Sequence, residues 1–401
     1  MKIAVSRLQH VRKILIGAVG VLLFTGLAVA GDGDELKQLG YTVQQVSVPG
    51  DASLDVLTPL AYQWDDETYT TLYVMDGRTN EQIAAAVASF VNQRVDVLPV
   101  LIVRLPVDRE AGLAVYMEQK LVPVVEKNFR VAPFRMLAGN LVTSTAALQM
   151  AADHPGIFHA IISEGRVTEG LPAEQIDHIA SALAAQKGSP RTIAVATEQG
   201  APDLPAFQQI ATTLKGAPDT GVRLIVQNAA IPADQKEAGI LLYKGLISAY
   251  TDWYVQGDLV EMGLEGIEDH YESLSDQLGA EIPVPQELVY RLARENLNQS
   301  EYVKLLETLK FNVSHHPNSA KAHAALAQGW DANYRVRTAV MHYKRAVSVA
   351  KKTGNPSEEI YRALLDDANQ RLVNDNISKN RLIQKSSSNK LGFSPQTYSV
   401  F

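Results

Sequence analysis

Between Thr70 and Tyr254 the chain alternates short apolar runs with segments of helical period, and this alternation restricts the fold more than any other feature. TTLYVMDG (Thr70–Gly77), VLPVLIVRL (Val97–Leu105), RMLAG (Arg135–Gly139), HAIISEG (His159–Gly165), RTIAVATEQG (Arg191–Gly200) and VRLIVQN (Val222–Asn228) read as buried strands. Between and after them EQIAAAVASFVNQ (Glu81–Gln93), AVYMEQKLVPVVEKNFR (Ala114–Arg130), STAALQMAADH (Ser144–His154), EQIDHIASALAAQKG (Glu174–Gly188), LPAFQQIATTLKG (Leu204–Gly216) and KEAGILLYKGLISAYTDWY (Lys236–Tyr254) read as helices. Continuous apolar runs suit strands covered on both faces. The order predicts an α/β fold, a mostly parallel sheet with helices on both faces. Ahead of it, Tyr41–Pro59 alternates in short runs broken at Pro49-Gly50, which predicts antiparallel strands leading into the sheet.

After Tyr254 the composition changes. Ile267–Pro285 (IEDHYESLSDQLGAEIPVP) reads as a polar connector, and Gln286 to about Val373 as helical. A spacing of 34 residues recurs there: Leu292-Ala293 is echoed by Leu326-Ala327, and Pro317 closes the first unit. Trp330, Ala339, Tyr343 and Ala346 then occupy the small and aromatic positions of a tetratricopeptide-like helix pair. Two such units should either pack on the α/β domain or be capped by Pro356–Val373. The expected organisation is residues 31–265 as the α/β domain, 266–284 as linker, 285–376 as helical domain and 377–401 as a loose tail.

Residues 1–30 predict a secretory signal. Lys2, Arg7, Arg12 and Lys13 precede an apolar run from Ile14 to Ala30, and Ala28-Val29-Ala30 supplies a small-x-small cleavage pattern. An uncleaved anchor is the alternative, because the run approaches the length of a span. Either way the folded part is expected to be exported, periplasmic or secreted. No cysteine is present, which excludes a thiolate nucleophile, a thiolate metal site and disulfides. A formal net charge of −7 argues against a nucleic-acid partner.

The segment from Phe134 to Phe158 is a strand, a sharp turn and a small-residue helix. That context can lift a nucleophile above the carboxyl edge of a sheet, as in G-x-S-x-G. The five turn residues are Gly139, Asn140, Leu141, Val142 and Thr143, and Leu141 holds the nucleophile position with neither a lone pair nor a proton to give.

Several stretches, in their correct order, resemble the α/β-hydrolase branch that includes enterochelin esterases and esterase D, some of whose members carry C-terminal tetratricopeptide-like helices. TTLYVMDG resembles the branch's strand ending in Leu-Asp-Gly. Met117–Val131 resembles its "ELIP-x-IE-x-x-YR" helix, and FRMLAGNLVTSTAALQMAADHPGIFHAIISEG its "R-x-L-x-G-H-S-x-G-G … P-x-x-F … SPS" block. LLYKGLISAY (Leu241–Tyr250) resembles the "LYDGL" helix that follows the catalytic histidine, while HYESLSDQLG and FNVSHHPNSA (Phe311–Ala320) match the linker and helical extension. The resemblance implies an α/β-hydrolase fold and, for intact members, ester hydrolysis by serine, histidine and an acid.

The departures fall on the chemistry. His-Ser of the elbow becomes Asn140-Leu141, and the paired glycines become Thr143-Ser144. Where the histidine should stand, in VQNAAIPADQKEAG, Asp234 or a neighbour takes its place, and a carboxylate cannot shuttle the proton as an imidazole does. The acid would fall near Glu198, a residual member without partners.

Asp76, Gly77, Leu141 and Ser163 are the expected lining of the ligand cleft, with Asp76-Gly77 and Ser163-Glu164 equally readable as turns. His154 reads as a helix cap, and Arg104 and Arg109 could receive an anion or lie solvated. His315-His316 lacks further ligands for a metal. No Gly-rich phosphate loop occurs, so no cofactor is expected. The resulting expectation is a catalytically inactive esterase-like binding or scaffolding module. A protein partner would bind through the helical repeats, and the cleft could hold an apolar small ligand. The alternative is an active carboxylic-ester hydrolase with Ser144 or Thr143 as a rearranged nucleophile.

Overall fold

A computed structural model describes residues 32–50, 53–106, 112–140, 143–165, 171–188, 191–198, 204–217, 219–229 and 239–390. The segment expected as a signal lies outside them. The described residues form two compact units, one of 32–62 with 67–295, the other of 63–66 with 296–390.

In the larger unit eight strands form one sheet in the order β1-β2-β4-β3-β5-β6-β7-β8. β1 (Tyr41–Val46) and β2 (Leu54–Pro59) pair antiparallel, and β2 is antiparallel to β4 (Val100–Arg104). β3 (Tyr69–Met75), β4, β5 (Val131–Asn140), β6 (Ala160–Glu164), β7 (Arg191–Glu198) and β8 (Val222–Ala229) are mutually parallel. The strand period of two divides the apolar side chains between two cores. Tyr73, Leu101, Leu137, Ile161 and Val195 face one core, while Leu72, Ile102, Met136, Ile162 and Ala194 face the other. Both faces are dry, which is why these strands carry no polar alternation.

Helices close each face. α1 (Asp32–Gln38), α2 (Asn80–Val91) and α7 (Ile240–Ala249) contribute to one core. α4 (Ser144–Asp153), α5 (Ala173–Ala185) and α6 (Leu204–Lys215) contribute to the other. α3, expected as one helix, runs from Leu113–Tyr116 through a π turn at Met117–Leu121 into Val122–Asn128. Pro123 brings no N–H to the ladder, and the N–H of Val122 reaches back five residues to the Met117 carbonyl.

The segment read as a polar connector is instead helical. α8 (Leu259–Leu278) contains Ile267, Tyr271, Leu274 and Leu278, spaced by four, three and four, and all four enter a core beside Trp253 and Leu246. Its polar residues cover the other face, so the mean composition concealed an amphipathic stripe.

Beyond it come α9 (Gln286–Asn298), α10 (Tyr302–His315), α11 (Ala320–Ala332), α12 (Val336–Thr353) and α13 (Glu358–Lys390). α9 and α11 begin 34 residues apart, as do α10 and α12. Gly329 lets α11 approach α10, since a Cβ there would stand 2.7 Å from a Leu309 methyl. Ala327, Ala339, Tyr343 and Ala368 form the small core of α11, α12 and α13. Of the stretch expected as a loose tail, residues 377–390 continue α13, which ends at Lys390.

Candidate functional site

The strand–turn–helix stands where the sequence places it. β5 ends at Asn140 and α4 begins at Ser144, while Leu141 and Val142 lie outside the described residues. Gly139 permits the junction: a Cβ on it would lie 2.5 Å from the Thr143 carbonyl oxygen. Strand end and helix start are therefore in backbone contact.

Both hydroxyls in that turn face inward. Thr143 is 1% exposed and Ser144 0%. Thr143 Oγ1 accepts the N–H of Asn140 at 2.9 Å and lies against the carbonyls of Met75 and Asn140, which ties the end of β5 to the end of β3. Ser144 Oγ donates to the carbonyl of Glu164 at 2.6 Å, and Ser163 Oγ donates to the carbonyl of Ser144 at 3.2 Å. These hydrogen bonds are struts between α4, β5 and β6. Neither hydroxyl caps a free N–H of α4, because Thr143 is already helical and its side chain turns toward β3. Ser163, expected to line a cleft, is also fully buried. Among the described residues no imidazole bonds Thr143, Ser144 or Ser163.

Beside this turn lies a buried ion cluster. Asp76 follows β3, Glu164 ends β6, and the guanidinium of Arg78 sits between them. Arg78 Nε is 2.8 Å from Asp76 Oδ2, its backbone N–H is 2.8 Å from Asp76 Oδ1, and its Nη2 bonds Asp76 Oδ2 and lies 2.8 Å from Glu164 Oε1. The side chains of Asp76 and Glu164 are 1% exposed. A second guanidinium braces the same corner: Arg104 Nη2 donates to the Asp76 carbonyl at 3.0 Å and Nη1 to Asn80 Oδ1 at 2.9 Å. Arg104 thus fixes the β3–α2 turn. Arg109 lies outside the described residues.

Burial pushes the Glu164 carboxyl up to about 7, against the opposing pull of Arg78 and of the Leu242 N–H at the start of α7. Burial also opposes the charge of Arg78, but Glu164 and Asp76 overcome it and raise that group above its ordinary value. The sign for stability follows from Glu164. Its folded pKa exceeds the unfolded 4.5, so the fold retains a proton that the unfolded chain releases. Its contribution is intact below 4.5 and is lost as pH rises through 7. Glu164→Gln, which resembles the protonated form, will gain on the wild type by about 3 kcal/mol across that window. Urea denaturation of both proteins at its two ends checks this, and a constant difference would mean that Glu164 is ionised throughout.

The remaining predicted residues fall as follows. Gly77 is exposed and has open space where a Cβ would be. Glu198 is the last residue of β7, in register with Ala229, and Asp234 lies outside the described residues. His154 takes the C-cap position of α4, its N–H bonded to the Met150 carbonyl. His316 lies 3.3 Å from Asp66, and the described residues form no group of three or more His, Asp or Glu able to hold a metal. A polar groove of about 770 Å³ opens near the start of α2, lined by Glu35, Asp55, Thr79, Asn80, Glu81 and Arg104 among others. No elbow residue lines it.

Arg78 is the residue that sequence reasoning missed. A usable signal was present: Asp76 directly follows and Glu164 ends a fully buried strand, and buried carboxylates require a cation.

Compared with solved structures, the chain is similar to an IroE-like serine hydrolase from Shewanella oneidensis, with a TM-score of 0.55 and 15% identity over 69% of this chain and 99% of that one. The fold is that of the α/β-hydrolases. An uncharacterised protein from Capnocytophaga ochracea (TM-score 0.46, 15% identity, 82% of this chain and 99% of that one) is also similar. So is the siderophore hydrolase EstB from Aspergillus nidulans (0.44, 10%, 58% and 100%). No protein-family model matches the chain, and no curated protein matches it by sequence. In an α/β-hydrolase the residue at the top of the elbow attacks the substrate and the following N–H helps to hold the oxyanion. This α/β-hydrolase fold keeps the tight strand-to-helix junction, and Leu141, which the sequence reading expects at the attacking position, lies outside the described residues.

Proposed function

We propose that the chain is a catalytically inactive esterase-like protein that serves as a binding or scaffolding module. The observation that carries this reading is the buried cluster of Asp76, Arg78 and Glu164 beside an elbow whose two hydroxyls are committed to backbone carbonyls. Hydrolysis needs an oxygen nucleophile with a base in hydrogen-bond reach. Ser144 donates to the Glu164 carbonyl, and no hydrogen bond joins either carboxylate of the cluster to Thr143, Ser144 or Ser163 among the described residues. Leu141 and the missing histidine after β8 are two independent losses in the sequence.

In this reading the protein is exported, the cleft above Leu141 accepts an apolar small ligand, and the helices from Gln286 onward receive a partner. The direct test treats the purified protein with p-nitrophenyl butyrate and a fluorophosphonate probe. Neither turnover above the blank nor a labelled serine is expected. Labelling abolished by Ser144→Ala would overturn the reading in favour of a rearranged esterase. Leu141→Ser alone will also remain inactive, since the sequence has no histidine between His178 and His270, where the base of an intact site would stand. Turnover by that variant would reveal an unrecognised base.

A further inference from the structure

The formal net charge of −7 conceals an uneven distribution: residues 296–401 hold more Lys and Arg than Asp and Glu. α12 is the extreme case, with several cations and no carboxylate. Its Arg337, Met341, Lys344, Arg345, Lys351 and Lys352 are all exposed. Their spacing places them on one stripe of the helix, about 22 Å long at the helical rise. The opposite stripe, with Ala339, Tyr343, Ala346 and Ala350, is buried. None of the five cations makes an ion pair among the described residues. Nearby acids are engaged elsewhere: Glu358 by Arg362, and Asp331 and Asp367 by Arg371. No two of these cations stand three or four residues apart, but five like charges along one stripe create a positive field that attracts a dense counter-charge.

The form of the stripe discriminates between anionic partners. Protein interfaces concentrate their energy in aromatic or Arg anchors that fill pockets. Here the surface is one convex helix face, and its large apolar side chains are Met341, 65% exposed, and Tyr334, 63% exposed, just before the helix begins. Ammonium groups on flexible stems suit a fluid layer of charges better than a fixed bidentate acceptor. Tyrosine suits the headgroup level of a bilayer, where one end is apolar and the other wet. We infer that this face of α12 docks on an anionic phospholipid surface through Arg337, Lys344, Arg345, Lys351 and Lys352, with Met341 entering among the headgroups. No described helix is long and apolar enough to cross a membrane, so the contact is peripheral for these residues.

Co-sedimentation of the full chain with vesicles of phosphatidylcholine, alone or mixed with phosphatidylglycerol, tests the inference. Lys2, Arg7, Arg12 and Lys13 beside the apolar N-terminal run also favour the anionic vesicles, so the change on altering α12, in the otherwise unchanged full chain, is what reports the stripe. Partitioning should be at least roughly tenfold greater on the anionic vesicles. It should fall toward the neutral level as NaCl rises from about 0.05 to about 0.5 M. K344E/R345E/K351E/K352E should cut the difference to what the N-terminal cations alone supply, at least roughly fivefold below the wild type, and the milder K344Q/R345Q should reduce it less while leaving the thermal unfolding midpoint unchanged. Equal partitioning on both lipids, or an undiminished difference in the charge-reversed variant, would overturn the proposal. So would salt-sensitive binding to polyglutamate without binding to anionic vesicles, which would assign the face to an acidic protein.

Discussion

Arg78→Met will destabilise the fold by about 3–5 kcal/mol at neutral pH, the usual cost of removing one partner from a buried ion pair. Methionine approximates the length of the arginine stem, so little of the loss comes from packing. The loss arises because Asp76 and Glu164 remain, both buried and without their cation. They must then either hold charge in a dry setting or take up protons. The deficit should therefore shrink as pH falls toward about 4, where carboxyls protonate readily. Adding Glu164→Gln to Arg78→Met removes one uncompensated carboxylate. The double variant should be more stable than the sum of the two single effects predicts, by at least about 1 kcal/mol. Urea unfolding of the four proteins of this cycle supplies all the quantities. Strict additivity would show that the contact between Arg78 and Glu164 contributes nothing.

The same cluster marks the limit of what the sequence disclosed. The layer order was legible because the strands are buried on both faces, and such strands appear as unbroken apolar runs. The elbow was legible because Gly139 and the small residues Ser144 and Ala147 answer a purely local demand, close approach of strand and helix. Gly245 answers another: a Cβ on it would lie 2.2 Å from a methyl of Ile162, which explains the glycine in the LLYKGLISAY helix. By contrast, Arg78 and Glu164 lie 86 residues apart, and only the parallel register of β3, β5 and β6 brings their strand ends together. Read singly, Asp76 is a turn former and Glu164 a strand terminator. α8 was hidden for a different reason, because Ile267, Tyr271, Leu274 and Leu278 form a narrow stripe within a polar segment. A helix that packs along one seam needs no more apolar residues than that.

Gly139→Ala will destabilise the protein by about 3 kcal/mol, near the upper end of ordinary overpacking. The added methyl would lie 2.5 Å from the Thr143 carbonyl oxygen and 2.8 Å from its carbonyl carbon, with the Ala147 Cβ 3.1 Å away on the other side. The first two are backbone atoms, so no rotamer change can make room. Relief requires moving the start of α4 outward. That movement would stretch the bonds from Thr143 to Met75 and from Ser144 to Glu164, which join two strand ends to the helix. Gly156→Ala is the matched control: it lies in the turn after the same helix, and a Cβ there would have no heavy atom within 4 Å. That substitution should change stability by less than about 0.5 kcal/mol. The comparison isolates the contact from the general effect of replacing glycine, which restricts the unfolded chain equally at both positions. Denaturation midpoints measured in urea at constant slope decide it. Similar midpoints for the two variants would mean that α4 can withdraw from β5 at no cost, and that the tight junction does not depend on the missing side chain.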